Sequence, residues 1–491
     1  MKRFLALVKI NLRTASEDLI QNMNVSSKKQ TPFRKWGTRL LIVGLIVYLL
    51  GIVSFISYMI VSEFIRLNQT GLLIYLIFTV APIVTLYFSI LATPGVFYFS
   101  RDIPSYLSLP IPPREIIGAK FVVSYIQSCM SAAGLLGPLL LILIIRTDVG
   151  ILFGFYTLLG ILITPLIPLS LAVVIVVLLM RFVPFLKNKD LFMYLSFGLI
   201  FIPVFIVSFS TGMVSADEVA IQGFIESLVN MDNNAFRSLS LFFPTSQWIT
   251  TGIVDLNILP LLFTLVVSLG VVVIAITLSQ PFYFEGVLSV SEVGTKKKKL
   301  NLREKERETK GRSLTQTILI QDIKTILRTP AFALNYLSPM IILPIMTMLP
   351  ALLSGDFSSN VLSEILGIHR FFHDLFIGLT LLEKITYPLI VGFAIGLFSG
   401  NLDASSNTAI SRDANNLQAF ITFPIQFSEI VKAKVYLSII LSSLIPLILI
   451  VLGIVILRPP LITTLWFILG TAIGIILVVF IGIFVDVYAP S

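Results

Sequence analysis

The feature that most constrains this chain is a series of apolar runs about as long as a bilayer is thick. Leu41–Ile60 and Ile258–Leu278 contain no charged residue. Crossing a hydrocarbon core of ~30 Å takes ~20 residues of helix. In lipid the backbone must satisfy its own polar groups, which leaves helices or closed barrels. Barrel strands alternate apolar and polar residues, and these runs do not, so they predict helices. The charge supply agrees. Only 12% of the 491 residues are charged, against roughly 25% in a soluble globular chain, and the mean hydropathy is +0.97. A water-soluble fold is excluded. The single cysteine, Cys129, lies inside one such run and rules out a disulfide scaffold. Met1–Asn22 is too polar for a signal-peptide core and reads as retained and cytoplasmic.

Ten spans are expected, at about 39–62, 72–98, 120–145, 151–180, 191–212, 258–280, 331–354, 380–400, 435–457 and 462–485. The eighth is the weakest, because Glu383 and Lys384 stand near its outer end. The bias of Lys and Arg toward cytoplasmic segments tests the set as a whole. With the N-terminus inside, 29 of the 35 basic residues and 15 of the 26 acidic ones fall on the cytoplasmic side. The inner segments then carry +14 and the outer ones −5, which together make the net +9. Topology therefore accounts for the basic balance, and no nucleic-acid partner is needed. The densest basic run, from Lys296 to Arg312, is interleaved with Glu304, Glu306 and Glu308. It reads as a solvated, orienting linker, with attraction to anionic lipid headgroups as the sharper alternative. The expected organisation is a first membrane half over 1–285, a linker over 286–313 and a second half over 314–491.

A cytoplasmic string occurs twice. Residues 100–120 read SRDIPSYLSLPIPPREIIGAK, and residues 411–434 read SRDANNLQAFITFPIQFSEIVKAK. The pairs are Arg101 with Arg412, Asp102 with Asp413, Pro110 with Pro424, Glu115 with Glu429, and Lys120 with Lys434. Six expected spans separate the copies, so both face the same side, and the halves should be related by a parallel pseudo-twofold axis. A weaker echo, KINLRT at Lys9–Thr14 and KTILRT at Lys324–Thr329, precedes the first span of each half. By repeat logic the second half lacks two final spans and reads as shortened or truncated.

Each copy combines a polar stretch, a proline corner and a helix entering the bilayer. The glutamate falls in that helix's first turn, where the dipole favours a carboxylate. Such a segment is either a well-capped connector or a docking surface for a twofold partner. With its charged pair, Leu-Pro-Ile and Glu-Ile-Ile-x-Ala-Lys, the string resembles the coupling region of ATP-binding-cassette (ABC) exporter permeases of the type-2 class. More narrowly, it is similar to bacterial exporters with two fused six-span halves. The resemblance implies connecting helices at Lys2–Asn22 and Leu314–Arg328, and coupling helices at Arg101–Lys120 and Arg412–Lys434 that dock on an ATPase. It also implies a multi-pass protein of the bacterial plasma membrane. The ending Gly482–Pro490 resembles a segment that full-length members follow with further spans.

No G-x-x-x-x-G-K-[ST] phosphate loop occurs; Gly294-Thr-Lys lacks the first glycine and the strand–loop–helix context. The chain is therefore expected not to be an enzyme and to bind no cofactor itself. ATP and Mg would sit on a separate ABC ATPase, in two copies to match two coupling segments. His369 and His373, spaced i,i+4 near Glu364 and Asp374, have metal-ligand spacing. Their aromatic loop, HRFFH, favours an interfacial anchor instead. Charges inside the spans are scarce, which argues against an ion relay, and intramembrane prolines such as Pro82, Pro138, Pro165 and Pro446 suggest kinks. The expectation is an all-α polytopic membrane protein serving as the permease subunit of an ATP-driven exporter. A secondary active transporter with two parallel repeats is the alternative.

Overall fold

The computed structural model describes residues 2–23, 32–100, 102–147, 149–212, 243–293, 313–330, 332–339, 380–403, 405–413, 426–457 and 459–488. The basic linker, His369 and His373, and most of the seventh expected span lie outside these residues. The described chain is helical, and eight of its helical stretches are long and apolar enough to cross a membrane, one of them, Ile151–Phe182, being a pair of helices end to end. This is an all-α polytopic membrane protein. Eight of the ten expected spans recur among these helices. The fifth forms a helix, Lys189–Gly212, whose side chains from 204 on lie outside the described residues.

The helices are α1 (Lys2–Met23), α2 (Pro32–Arg66), α3 (Thr70–Phe97), the short α4 (Ile103–Leu107), α5 (Pro113–Thr147), α6 (Ile151–Ile163), α7 (Leu166–Phe182) and α8 (Lys189–Gly212). They continue as α9 (Thr245–Val254), α10 (Ile258–Val293), α11 (Leu314–Arg328), α12 (Leu381–Leu402), α13 (Phe427–Leu457) and α14 (Leu461–Tyr488). Local chemistry sets several boundaries. Glu383, which made the eighth span look doubtful, belongs to the N-terminal cap of α12. Its backbone N–H donates to Thr380 Oγ1, and its carboxylate accepts from the Thr380 N–H at 2.8 Å. This reciprocal arrangement satisfies donors that a helix start leaves orphaned. The fourth expected span is two helices, because Pro165 has no N–H to continue the ladder and the Thr164 hydroxyl bonds back to the Gly160 carbonyl at 2.7 Å. Pro82, Pro138, Pro388 and Pro446 instead sit within continuous helices.

The helices form two compact units. The first is built mainly on Ser27–Phe192 with Met1–Met23 and Asp217–Lys296, the second on Lys297–Ser491 with Met193–Ala216. Inside the first unit, α1 packs on α5, α3 packs on both α5 and α7, and α10 closes over α7. Inside the second, α11 packs on α13, and α12 packs on both α13 and α14. The pairings of connecting helix with third span, and of second span with third and fourth, are thus the same in each unit. In the second unit the contact of α12 with α14 is unusually close. A Cβ placed on Gly396 would lie 2.4 Å from the Thr471 carbonyl oxygen, and one on Gly474 would lie 2.5 Å from that of Phe393.

Candidate functional site

The first repeated segment runs from the end of α3 into α5. Pro104 lies at the start of α4, where its missing N–H costs nothing. Pro110, Pro112 and Pro113 then prevent the helix from continuing, and Pro113 opens α5. Glu115 falls in the first turn of α5 and is half-buried. Around the corner, Ser108, Leu109, Pro110, Pro112 and Arg114 are exposed and form the outer tip of the segment.

Lys120 faces the other way. It is 1% exposed, and Ile116, Ile117, Ala119 and Phe121 around it are equally enclosed. Its ammonium donates to the Val96 carbonyl and to Ser100 Oγ, both at 2.6 Å, with Asp102 Oδ2 at 3.6 Å. An ammonium has three donors, and these three acceptors surround it. One of them, Val96 O, is a last-turn carbonyl of α3, the kind of group that lacks an intrahelical partner and favours a cation. Asp102 precedes α4 but gives no side-chain cap, its carboxylate being turned toward Lys120. The Tyr106 hydroxyl donates to Asn11 Oδ1 of α1 at 2.9 Å, and the Tyr283 hydroxyl of α10 donates to the Phe97 carbonyl at 3.0 Å. Burial, with the Asp102 charge behind it, pushes the Tyr106 phenol well above its ordinary range, so it stays a neutral donor. The segment is therefore tied to α1, α3, α5 and α10, with only its tip turned outward.

The second segment is held by the same lysine through a different partner. Lys434, also 1% exposed, lies 2.7 Å from Asp322 Oδ2 on the connecting helix α11. Arg412 reaches the same oxygen at 3.7 Å, and its guanidinium lies 5.5 Å from the Tyr336 ring centre. Asp322 occupies the buried stripe of α11 between Ile318 and Ile326. Where KTILRT is laid on KINLRT, the residue matching Asp322 is the buried Leu7. One half thus places a carboxylate where the other places an apolar side chain. Glu429, in the first turn of α13, accepts from Thr315 Oγ1 and from Lys432 at 2.8 Å. Upstream, the buried Asp403 accepts from the Ser405 N–H at 2.9 Å, from Ser405 Oγ at 3.0 Å and from Ser442 Oγ at 2.6 Å. Burial raises its pKa, and these donors, Ser442 foremost, pull it partly back. Asp486 of α14 accepts from the Ile410 and Ser411 N–H groups at 2.5 and 3.1 Å, which fixes the turn before Arg412.

Of the ten residues singled out from sequence, Arg101, Pro424 and the Asp413 side chain lie outside what is described. Lys120, Lys434 and Arg412 are enclosed, so they hold their segments in place and do not form an outer face. Pro110 is exposed and Glu115 half-buried, while Glu429 is already engaged by neighbours on its own side. Sequence reading passed over Asn11, Tyr106, Asp322, Asp403 and Asp486. Asp322 carried the plainest signal, a charge four residues from an isoleucine on either side of a helical apolar stripe.

A family model described as "Putative ATP-binding cassette" matches residues 33–390. The matched stretch takes in the first repeated segment and ends before the second. No curated protein and no solved structure matches the chain.

Proposed function

The chain belongs to that ATP-binding cassette family, and from this premise we propose that it is the membrane-spanning permease subunit of an ATP-driven exporter. In this reading its energy comes from separate ATPase chains, and the two repeated segments are the coupling helices that receive their motion. The N-terminus lies in the cytoplasm, the membrane is the bacterial plasma membrane, and each segment takes one ATPase copy. The observation that carries the reading is the shared build of the two segments. Each is pinned by a fully buried lysine in the second or third turn of the following helix. A segment held this way transmits a push on its tip to the connecting helix and the third span as one body, because packed interiors have little compressibility. The lack of a phosphate loop in the sequence and the run of membrane helices support placing ATP hydrolysis on another chain.

The test is co-purification of the chain with an ATPase from the cells that express it natively, followed by ATP-dependent transport in proteoliposomes. Glu115→Lys and Glu429→Lys, each in the first turn of the helix that follows its segment, should each weaken ATPase association, because charge reversal at an interface costs several-fold in affinity. Transport that proceeds with no ATPase present, driven by an ion gradient, would overturn the reading in favour of a secondary carrier.

A further inference from the structure

Between α3 and α5 of the first unit lies a cavity of about 440 Å³, within the size range of small-molecule sites. Both helices are among the membrane-crossing candidates. Two polar stripes line it. Thr85, Ser89 and Thr93 recur every four residues on α3, and Ser124, Ser128 and Ser131 recur at four and three on α5. Helical periodicity therefore puts each set on one face. The remaining lining is apolar apart from Gln127, and it includes no charged residue.

The hydroxyls are not equivalent. Thr85 donates to the Ala81 carbonyl at 2.7 Å and Ser131 to the Gln127 carbonyl at 3.0 Å, each within its own helix. Thr93 Oγ1 and Ser124 Oγ are buried, the residues being 2% and 6% exposed, and neither has a hydrogen-bond partner among the described residues. Buried polar groups are satisfied as a rule, so two unpartnered hydroxyls lining one cavity mark the place for a ligand's polar atoms. Val80, Phe88 and Leu135, also in the lining, are exposed and rim the opening with apolar surface. No charged side chain among the described residues lines the cavity, so an ionised group inside would bear the cost of leaving water.

We propose that this cavity binds an uncharged amphiphile, with its apolar body between α3 and α5 and its hydrogen-bonding group at Thr93 and Ser124. A neutral glycerolipid of the bilayer and a neutral apolar solute share this chemistry. The site also abuts the anchored segment, since Val96 lines the cavity while its carbonyl holds Lys120. The assignment rests on the cavity alone and does not depend on the permease reading.

The test uses the full chain in detergent micelles without any ATPase, so a failed coupling experiment leaves it intact. A monoacylglycerol carrying a diazirine near the middle of its chain is photolysed with the protein, beside the fatty acid of the same chain at a pH where it is ionised. Labelled peptides are read by mass spectrometry. The neutral probe should mark α3 and α5 selectively, the ionised probe far less, and excess unlabelled monoolein should compete. Thr93→Val combined with Ser124→Ala should cut the labelling about tenfold. Ala132→Phe, which fills the cavity, should abolish it with the thermal midpoint retained. Lipid extraction from the purified chain distinguishes the sources: a neutral glycerolipid retained by the native chain and lost from the double variant identifies a resident lipid, and its absence identifies an exogenous solute. Labelling spread evenly over the membrane helices, or unchanged in both variants, would overturn the proposal.

Discussion

Replacing a single hydrogen by a methyl group at Gly396 should destabilise the second unit by about 2 kcal/mol. Four glycines meet opposing backbone across the contact of α12 with α14. A Cβ on Gly392 would lie 2.3 Å from Phe467 O, on Gly396 2.4 Å from Thr471 O, on Gly470 2.2 Å from Leu389 O and on Gly474 2.5 Å from Phe393 O. Each obstacle is a helical carbonyl and cannot swing away as a side-chain tip would, so the helices must part by about 1 Å. A gap of 0.5–1 Å already forfeits a quarter to a half of a dispersion contact, and overpacking costs ~1–3 kcal/mol. Alanine returns about 1 kcal/mol of helix propensity over glycine. With rigid backbone on both sides the steric cost lies at the upper end of its range, leaving a net loss of ~2 kcal/mol for Gly396→Ala. The control is Gly453→Ala on α13, where nothing lies within 4 Å of the added carbon. It should be neutral or stabilising by up to ~1 kcal/mol. Gly396→Ala with Gly474→Ala should lose less than the sum of the singles, because the first methyl opens space for the second. Thermal unfolding in detergent measures the native chain and all four variants. If Gly396→Ala melts at or above the native temperature, as Gly453→Ala should, close backbone approach is not what joins α12 to α14.

The buried charges give three further expectations. Asp322→Asn strips Lys434 and Arg412 of the carboxylate beside them and should cost ~3–5 kcal/mol, as when one partner of a buried pair is removed. Adding Lys434→Met should recover part of that loss in the same unfolding assay, and a double variant no more stable than Asp322→Asn would refute the pairing. Lys120→Met should cost a similar ~3–5 kcal/mol, and Lys120→Arg should not restore it, because a planar fork does not fit the three acceptors around the ammonium. Asp403 has a folded pKa raised above 3.8 by burial, so the folded chain binds its proton more tightly than the unfolded one. Its contribution is therefore fully present at low pH and is lost as pH rises through the folded value. Measured against Asp403→Asn, the native chain should lose relative stability from about pH 4 upward; a pH-independent difference would show that the carboxylate is not desolvated.

The spans were legible because a bilayer demands long apolar runs, and the repeated segment because its residues are contiguous. What sequence reading missed depends on direction and distance. Lys120 and Lys434 looked like the outward charges of a docking surface, since charges at the edge of a span are normally hydrated. The neighbours of Lys120 contained a counter-signal: Ile116, Ile117, Ala119 and Phe121 leave it no polar face on the helix, and all are buried with it. Its partners lie in the preceding helix and turn, close enough in sequence to be suspected. Those of Lys434 are harder to suspect, because Asp322 is on a helix that precedes the intervening spans and matches an apolar leucine in the other half. A repeat thus predicts that a buried ammonium needs an acceptor without predicting which element supplies it. The glycine ladder failed for another reason. Hydropathy counts Gly392, Gly396, Gly470 and Gly474 as neutral, although their four-residue spacing is the one that lets membrane helices approach closely. Their meaning appears only when the two helices are set against each other, where a carbonyl oxygen stands in the place of each missing methyl.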